Sequence, residues 1–198
     1  ALREHVLSGE VIHGDETRWR MLSKGAKLWW AWCIGRHDAV YYQIEPSRGH
    51  EVVVGMLRGY RGVLMVDDYV AYQTALKLLP GVTIVLCWSH ARRAYVEALD
   101  AYPECQQALD LIGKLFEIER DMPDWRVIKD PRLRDAALQK IADVRFAQSK
   151  PLTDELLKWA REQRGLPGSK LREAIAYMTS NWTGLTRFLT DPRAPLTN

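Results

Sequence analysis

The chain has 198 residues, of which 47% are hydrophobic and 27% are charged, as in ordinary globular proteins. Lys and Arg number 28 against 25 Asp and Glu, so the net charge is only +3, which permits nucleic-acid binding without arguing for it. Three cysteines make no closed disulfide framework. No apolar run approaches the ~18 residues of a membrane helix, and no signal segment opens the chain. We therefore expect a protein of the reducing cytoplasm.

The N-terminal half alternates strand-like and turn-like segments. Residues 11–21 are predicted as a strand that a polar cluster at residues 14–17 interrupts. Strands over residues 27–35 and 39–44 flank a turn and complete an antiparallel meander. The pattern then predicts a helix over 49–59, a buried strand at Gly62–Val66, a helix over 71–79, a second buried strand at Val82–Leu86 and a helix over 91–101.

From Pro103 onward, apolar residues recur at the spacing of amphipathic helices. The third of these helices is predicted to begin at Pro151, and the fourth has Ser169 as its N-cap and continues to Leu189. Residues 191–198 are turn-rich. The whole order predicts an α/β fold, with a mixed sheet of three antiparallel and two parallel strands in residues 1–100 and an all-α region over 101–190.

Acidic residues lie at the first and fourth predicted strands and are the candidates for catalysis. Asp15 lies in the first strand, and Asp67 and Asp68 follow the fourth. If these strands are neighbours, two carboxylates face each other, which is costly unless a cation neutralises them. Carboxylate oxygens favour Mg²⁺ or Mn²⁺, and a pair of such ions can drive phosphodiester cleavage. The alternative is structural, with Asp15 capping a bulge and Asp67 capping the next helix.

A second group of polar residues follows the fifth predicted strand. Cys87 and His90 lack the further partners that a closed zinc site needs, so we expect Cys87 to be a small buried residue. His90 is a candidate for supporting the acids and the strand-to-helix turn. Arg92 and Arg93 are candidates for phosphate contacts, and a solvated helix start explains them equally well.

Three segments together are characteristic: HGDETRWRML, GVLMVDDYVAYQ and VLCWSHARRAYVEAL. In this order they resemble the transposases of the insertion-sequence-66 family. The family pattern reads His-x-Asp-Glu-Thr, then Gly-x-Leu-x-x-Asp-x-Tyr-x-x-Tyr, then Cys-Trp-x-His-x-Arg-Arg. The matching residues are His13, Asp15, Glu16, Thr17, Gly62, Leu64, Asp67, Tyr69, Tyr72, Cys87, Trp88, His90, Arg92 and Arg93. The resemblance covers most of the chain from about residue 9.

The resemblance implies a ribonuclease H-like catalytic core with an Asp-Asp-Glu metal site, followed by a helical insertion over 101–190. Asp15 would be the first acid and Asp67 the second, while Asp68 stands where the family more often has Gly. The implied activity is Mg²⁺- or Mn²⁺-dependent cleavage and strand transfer of DNA in the bacterial cytoplasm, close to the nucleoid. The implied partners are transposon ends and target DNA, with a homo-oligomer forming on DNA and no membrane involved.

The third acid has three candidates. Glu97 and Glu119 are available, but we expect Glu97 to face solvent and Glu119 to form a salt bridge. Because the chain begins with Ala1, we expect a piece of a longer protein, whose tail at 191–198 leads to a catalytic Glu beyond Asn198. Two other functions stay open: a related nuclease or resolvase that only hydrolyses, and a non-catalytic fragment that binds DNA or protein.

Overall fold

The computed structural model describes residues 1–22 and 28–198. This part of the chain divides into two compact units. The first comprises residues 1–85 together with Asn198, and the second comprises residues 86–197. The sheet lies in the first unit except for its last residue, Leu86, and the second unit is otherwise helical in its regular structure.

The first unit begins with a short helix, α1 (Leu2–Leu7), that the sequence did not predict. An antiparallel meander follows, made of β1 (Val11–Arg20), β2 (Leu28–Arg36) and β3 (Ala39–Glu45). The predicted interruption of β1 is wrong, because every residue from 13 to 20 pairs with β2 and the ladder continues through the polar cluster. Lys27, the predicted first residue of the second strand, lies outside the described residues.

The sheet is completed by two strands alternating with helices. The chain continues through α2 (His50–Met56), β4 (Gly62–Val66), α3 (Val70–Leu76) and β5 (Val82–Leu86), and both buried strands have their predicted bounds. The strand order is β3-β2-β1-β4-β5, with β1 parallel to β4. The mixed sheet confirms the predicted α/β class and is consistent with a ribonuclease H-like fold.

The two faces of the meander differ in how far their side chains are buried. On one face Trp32 is buried and packs edge-on against Tyr72 of α3, with ring centroids 6.1 Å apart. On the other face Val40, Tyr42 and Ile44 of β3 are exposed. Strand β4 is buried along Val63–Val66, as the unbroken run of apolar residues predicts for a strand covered on both sides.

The second unit is built from amphipathic helices. They are α4 (Trp88–Ala98), α5 (Cys105–Arg120), α6 (Pro131–Val144), α7 (Lys150–Glu162), α8 (Lys170–Ser180) and α9 (Trp182–Leu185), with a π-helical turn at Arg145–Ser149 and short 3-10 turns at Trp125–Val127 and Arg187–Leu189. Ser169 caps α8 as predicted, its Oγ accepting from Arg172 N at 3.3 Å. The predicted continuation of this helix to Leu189 is wrong, because α8 ends at Ser180.

Aromatic side chains pack in the core of the second unit beside buried aliphatic residues. Trp88 and Tyr95 of α4 are fully buried. Trp88 meets Phe188 edge-on at 6.5 Å, and Tyr95 meets Trp159 of α7 at 5.8 Å, the geometry that aromatic pairs prefer. In the two described ranges, no helix combines the length and the apolar character that crossing a bilayer requires.

Candidate active site

Asp15 lies in the middle of β1, and Asp67 directly follows β4, which pairs with β1 in parallel. Val11 pairs with Val63 and His13 with Met65. Continuing this register by two residues places Asp15 level with Asp67. The two strands stay close beyond His13 and Met65, since a Cβ built on Gly14 would lie 3.1 Å from Val66 Cγ1. The sheet order therefore makes neighbours of the two strands that carry the predicted acids.

The charges of three carboxylates converge on one buried hydroxyl. Burial raises the pKa of Tyr72 strongly, and the negative charges of Glu16, Asp67 and Asp15 raise it further. Glu16 contacts this hydroxyl directly, since Tyr72 donates to Glu16 Oε2 at 3.0 Å. The prediction of the site left this acid out.

Backbone amides orient both predicted acids. Asp15 is exposed, and its Oδ1 accepts a hydrogen bond from Glu16 N at 2.8 Å. Asp67 is half-buried, and its Oδ1 accepts from Tyr69 N at 3.0 Å, which forms an Asx turn at the end of β4. Asp67 does not cap α3 directly, because the N-cap position belongs to Tyr69. Both carboxylates are therefore held at one oxygen by the chain beside them.

Glu16 is a buried carboxylate with strong partners. Its side chain is only 1% exposed, and it accepts hydrogen bonds from Arg48 Nε at 2.9 Å, from Arg48 Nη2, and from the Tyr72 hydroxyl at 3.0 Å. Burial raises the pKa of Glu16, while the bonds from Arg48 and Tyr72 act in the opposite direction. Strand alternation carried the signal that sequence reasoning missed: Glu16 lies on the opposite face of β1 from Asp15, and an acid on a covered face needs a partner.

The site also includes the last residue of the chain. Asn198 Oδ1 lies 2.8 Å from His13 Nδ1, and Asn198 Nδ2 lies 3.5 Å from the carbonyl oxygen of Gly14. Both contacts are on β1, one or two residues before Asp15. Asn198 thus lies beside the strand that carries the first predicted acid.

The residues fit a divalent cation in donor chemistry, and they supply two carboxylates for it. Asp15 and Asp67 offer hard oxygen ligands, as Mg²⁺ and Mn²⁺ prefer. Within residues 1–22 and 28–198, no group of three or more His, Cys, Asp or Glu side chains is arranged to hold a metal. Any further ligand would come from water, substrate or another residue.

The remaining predicted residues lie in the second unit. On α4, His90 is half-buried, while Arg92, Arg93 and Glu97 are exposed. The predicted salt bridge of Glu119 is confirmed, because Arg145 donates to both of its oxygens, at 2.8 and 2.7 Å. Glu119 is thereby engaged within the helical unit.

The segment Cys87–His90 contacts the end of its own unit. Trp88 N donates to the Leu196 carbonyl at 3.0 Å. The Thr197 hydroxyl lies 3.2 Å from Cys87 Sγ and 2.6 Å from Ser89 Oγ. Cys87 is buried, as predicted, and the segment holds residues 196–197 at the start of α4.

Similarity to known proteins extends over the whole chain. A family model described as "Transposase IS66 family" matches residues 1–198. Three curated proteins of Sinorhizobium fredii, all named as uncharacterized, are similar to the chain. The protein y4qI is 33% identical over 96% of this chain and 37% of its own length. The proteins y4hP and y4jD are 29% and 27% identical, over 100% and 91% of this chain and 39% and 37% of their own lengths.

The chain therefore spans less than two fifths of the length of these relatives. No solved structure matches it. The family model covers every residue, and the motifs around Asp15, Asp67 and Trp88 fall within the match. The chain belongs to the IS66 family of transposases.

Proposed function

We propose that this chain forms the catalytic core of a DNA transposase, which cleaves transposon ends and joins their 3′-hydroxyl groups to target DNA. The observation that carries the proposal is the parallel register of β1 and β4. Continued two residues beyond the pair of His13 and Met65, it sets Asp15, in the middle of β1, level with Asp67, which follows the carboxyl end of β4. Ligands of open α/β sheets bind at the carboxyl ends of strands, where Asp67 lies.

Asp15 and Asp67 are the residues that would hold Mg²⁺ or Mn²⁺. When bound, a divalent cation would activate a water or hydroxyl nucleophile and stabilise the leaving oxygen of the phosphodiester. The amide groups of Glu16 and Tyr69 orient one oxygen of each carboxylate, so the other oxygen is available to a ligand. This arrangement reduces the side-chain freedom that ligand binding must overcome.

The third acid is proposed to be a Glu that follows Asn198 in the full-length protein. The contacts of Asn198 with His13 and Gly14 support this, because they bring the backbone at residue 198 beside β1. Glu119 is less suited, since Arg145 engages both of its oxygens. Glu97 lies exposed on α4 and is the remaining alternative.

DNA is the proposed partner, as the family implies. Arg92 and Arg93 are exposed and available to phosphate groups, and His90 is proposed to support the turn that precedes them. Action in the bacterial cytoplasm and assembly as a homo-oligomer on DNA belong to the same proposal.

The test uses the full-length protein with labelled transposon-end DNA and a target plasmid, in Mg²⁺ and then Mn²⁺. Asp15→Asn and Asp67→Asn should each lower cleavage and strand transfer by at least about a hundredfold, because each removes a charged ligand. Asp68→Asn is the matched control, one residue away, and should keep activity within about threefold. Equal activity of all three variants would contradict the assignment.

The products separate the proposed function from its alternatives. Cleavage without joined products would indicate a nuclease or resolvase. DNA binding without either product in the wild-type protein would indicate a binding module. This alternative is consistent with the finding that, within residues 1–22 and 28–198, no group of three or more His, Cys, Asp or Glu side chains is arranged to hold a metal.

A further inference from the structure

An ion pair between a buried carboxylate, Glu16, and a partly exposed arginine, Arg48, lies on the side of β1 opposite Asp15. Successive residues of a strand point to opposite faces, so Glu16 projects away from the face of Asp15. Its side chain is 1% exposed and pairs with Arg48 and the Tyr72 hydroxyl. Taking the Glu16 carboxylate out of water costs free energy, and the attraction of Arg48 serves first to offset that cost. Stability alone is therefore a weak reason for placing an ion pair here.

The Arg48 side chain is held by hydrogen bonds and by contacts with aromatic rings, in addition to its charge. Its Nε and Nη2 donate to Glu16, and its guanidinium carbon lies 3.6 Å from the centre of the Tyr69 ring and 4.7 Å from that of Trp30. A planar guanidinium can make paired hydrogen bonds and stack on rings at the same time, which an ammonium group cannot. The contacts thus depend on arginine itself.

Tyr69 connects this ion pair to the second acid. Its ring lies on the Arg48 guanidinium, and its hydroxyl donates to the Arg48 carbonyl oxygen at 3.0 Å. Its backbone N–H donates to Asp67 Oδ1 at 3.0 Å. The position of the Asp67 carboxylate therefore depends on a backbone that Arg48 holds in place.

Glu16 is also connected to the first acid, because its backbone N–H donates to Asp15 Oδ1 at 2.8 Å. One residue thus contacts Asp15 through its main chain and reaches Asp67 through Arg48 and Tyr69. We propose that Glu16 and Arg48 are positioning residues, which set the two carboxylates at the separation that a shared cation requires without binding the cation or DNA themselves. This inference rests on the proposed function.

The test measures Mn²⁺ affinity of the full-length protein by calorimetric titration and by the electron paramagnetic resonance signal of free Mn²⁺. Glu16→Gln and Arg48→Lys should each weaken binding by about tenfold or more, the effect typical of groups that orient metal ligands. Tyr69→Phe, which loses only the hydroxyl bond, should weaken binding less than Arg48→Lys.

Glu119→Gln is the matched control, because it makes the same change at the buried Arg145–Glu119 pair of the other unit. It should leave Mn²⁺ affinity unchanged even if it lowers the melting temperature. A merely structural role of Glu16 would lower the melting temperature in the same way, with Mn²⁺ affinity intact. If Glu16→Gln does not fold, Arg48→Lys and Tyr69→Phe decide the matter.

The two proposals fail in different ways. If Mn²⁺ does not bind, or binds equally well to Asp15→Asn and Asp67→Asn, the proposed metal site is wrong and this inference falls with it. If both Asp variants lose affinity while Glu16→Gln and Arg48→Lys bind like the wild type, the metal site stands and the positioning role is overturned.

Discussion

Gly14 occupies a position on β1 where any side chain would press on β4. A Cβ there would lie 3.1 Å from Val66 Cγ1 and 3.5 Å from the Tyr72 hydroxyl. Val66 is fully buried, so its methyl group has little room to move. The residue directly before Asp15 is small because two strands approach closely at the candidate site.

Gly14→Ala should therefore lower the free energy of unfolding by about 1–3 kcal/mol, the usual cost of overpacking a core. Urea denaturation of the purified chain measures it. Gly55→Ala on α2 is the control, because a Cβ added there would meet no neighbouring atom within 4 Å, and it should be neutral or stabilising by up to about 1 kcal/mol. A cost at Gly55 equal to that at Gly14 would contradict the explanation by close approach.

Whether a residue could be assigned to the candidate site from the sequence depended on how far away in the chain its partner lies. Asp15 and Asp67 were predictable as a pair on the condition that the first and fourth strands are neighbours, and the strand order meets that condition. The partner of Glu16 lies 32 residues away, in the loop before α2, where no spacing rule applies. Arg48 and Glu16 come into contact only in the folded chain.

At the scale of elements, Trp88 connects the start of α4 to the end of α9. Its indole Nε1 donates to the Leu185 carbonyl at 2.7 Å, and its ring is fully buried against Trp182 and Phe188. The last carbonyls of a helix lack partners within the helix, so an outside donor is valuable there.

Trp88→Phe should lower the free energy of unfolding by about 2–4 kcal/mol, because it leaves a cavity and a buried carbonyl without its donor. Trp182→Phe makes the same substitution at a half-buried indole and should cost clearly less. Thermal unfolding followed by circular dichroism compares the two variants. Similar losses for both would count against the special role of the Trp88 hydrogen bond.

The boundaries of elements were predicted correctly where the local sequence pattern sets them. They were predicted wrongly where contacts with residues remote in sequence set them. The bounds of β4 and β5 were predicted correctly. Strand β4 ends at the polar pair Asp67-Asp68, and β5 begins directly after the turn residues Pro80 and Gly81. Strand β1 runs through its polar cluster because β2 supplies backbone partners along its length, which composition does not reveal. Helix α8 stops at Ser180, and Gly184 four residues later packs against Leu86, a contact remote in sequence.

At the scale of the whole molecule, the two units differ in what stabilises them. The sheet unit relies on strand pairing, with a buried carboxylate, Glu16, paired to the partly exposed Arg48. In the helical unit, Arg145 is 3% exposed and donates to Glu119 and to the Phe188 carbonyl at 3.0 Å. Arg145 thereby connects α5 to the segment that follows α9. The sequence pattern predicted two regions of different structure, but it did not predict that Glu16 and Arg145 would be buried in them.

Asp191 makes the stability of the helical unit dependent on pH. Burial by itself would raise the pKa of this carboxyl group, but hydrogen bonds from Arg193 N, Nε and Nη2 and the charge of Arg145 outweigh it and lower the pKa. A lowered pKa means that the folded state binds the proton less readily than the unfolded state. The stabilisation is therefore present above about pH 4 and is lost as the pH falls through the lowered value.

Asp191→Asn should accordingly be less stable than the wild type at pH 7, and this difference should shrink as the pH falls below about 4. Urea denaturation between pH 7 and pH 3 measures the difference, and Arg193→Gln should show the same convergence because it removes the donor side. Since all these partners lie in one unit, amide exchange at pH 7 should rise within residues 86–197 of the variants. A difference in stability that stays constant with pH would assign the effect of Asp191 to packing rather than to its charge.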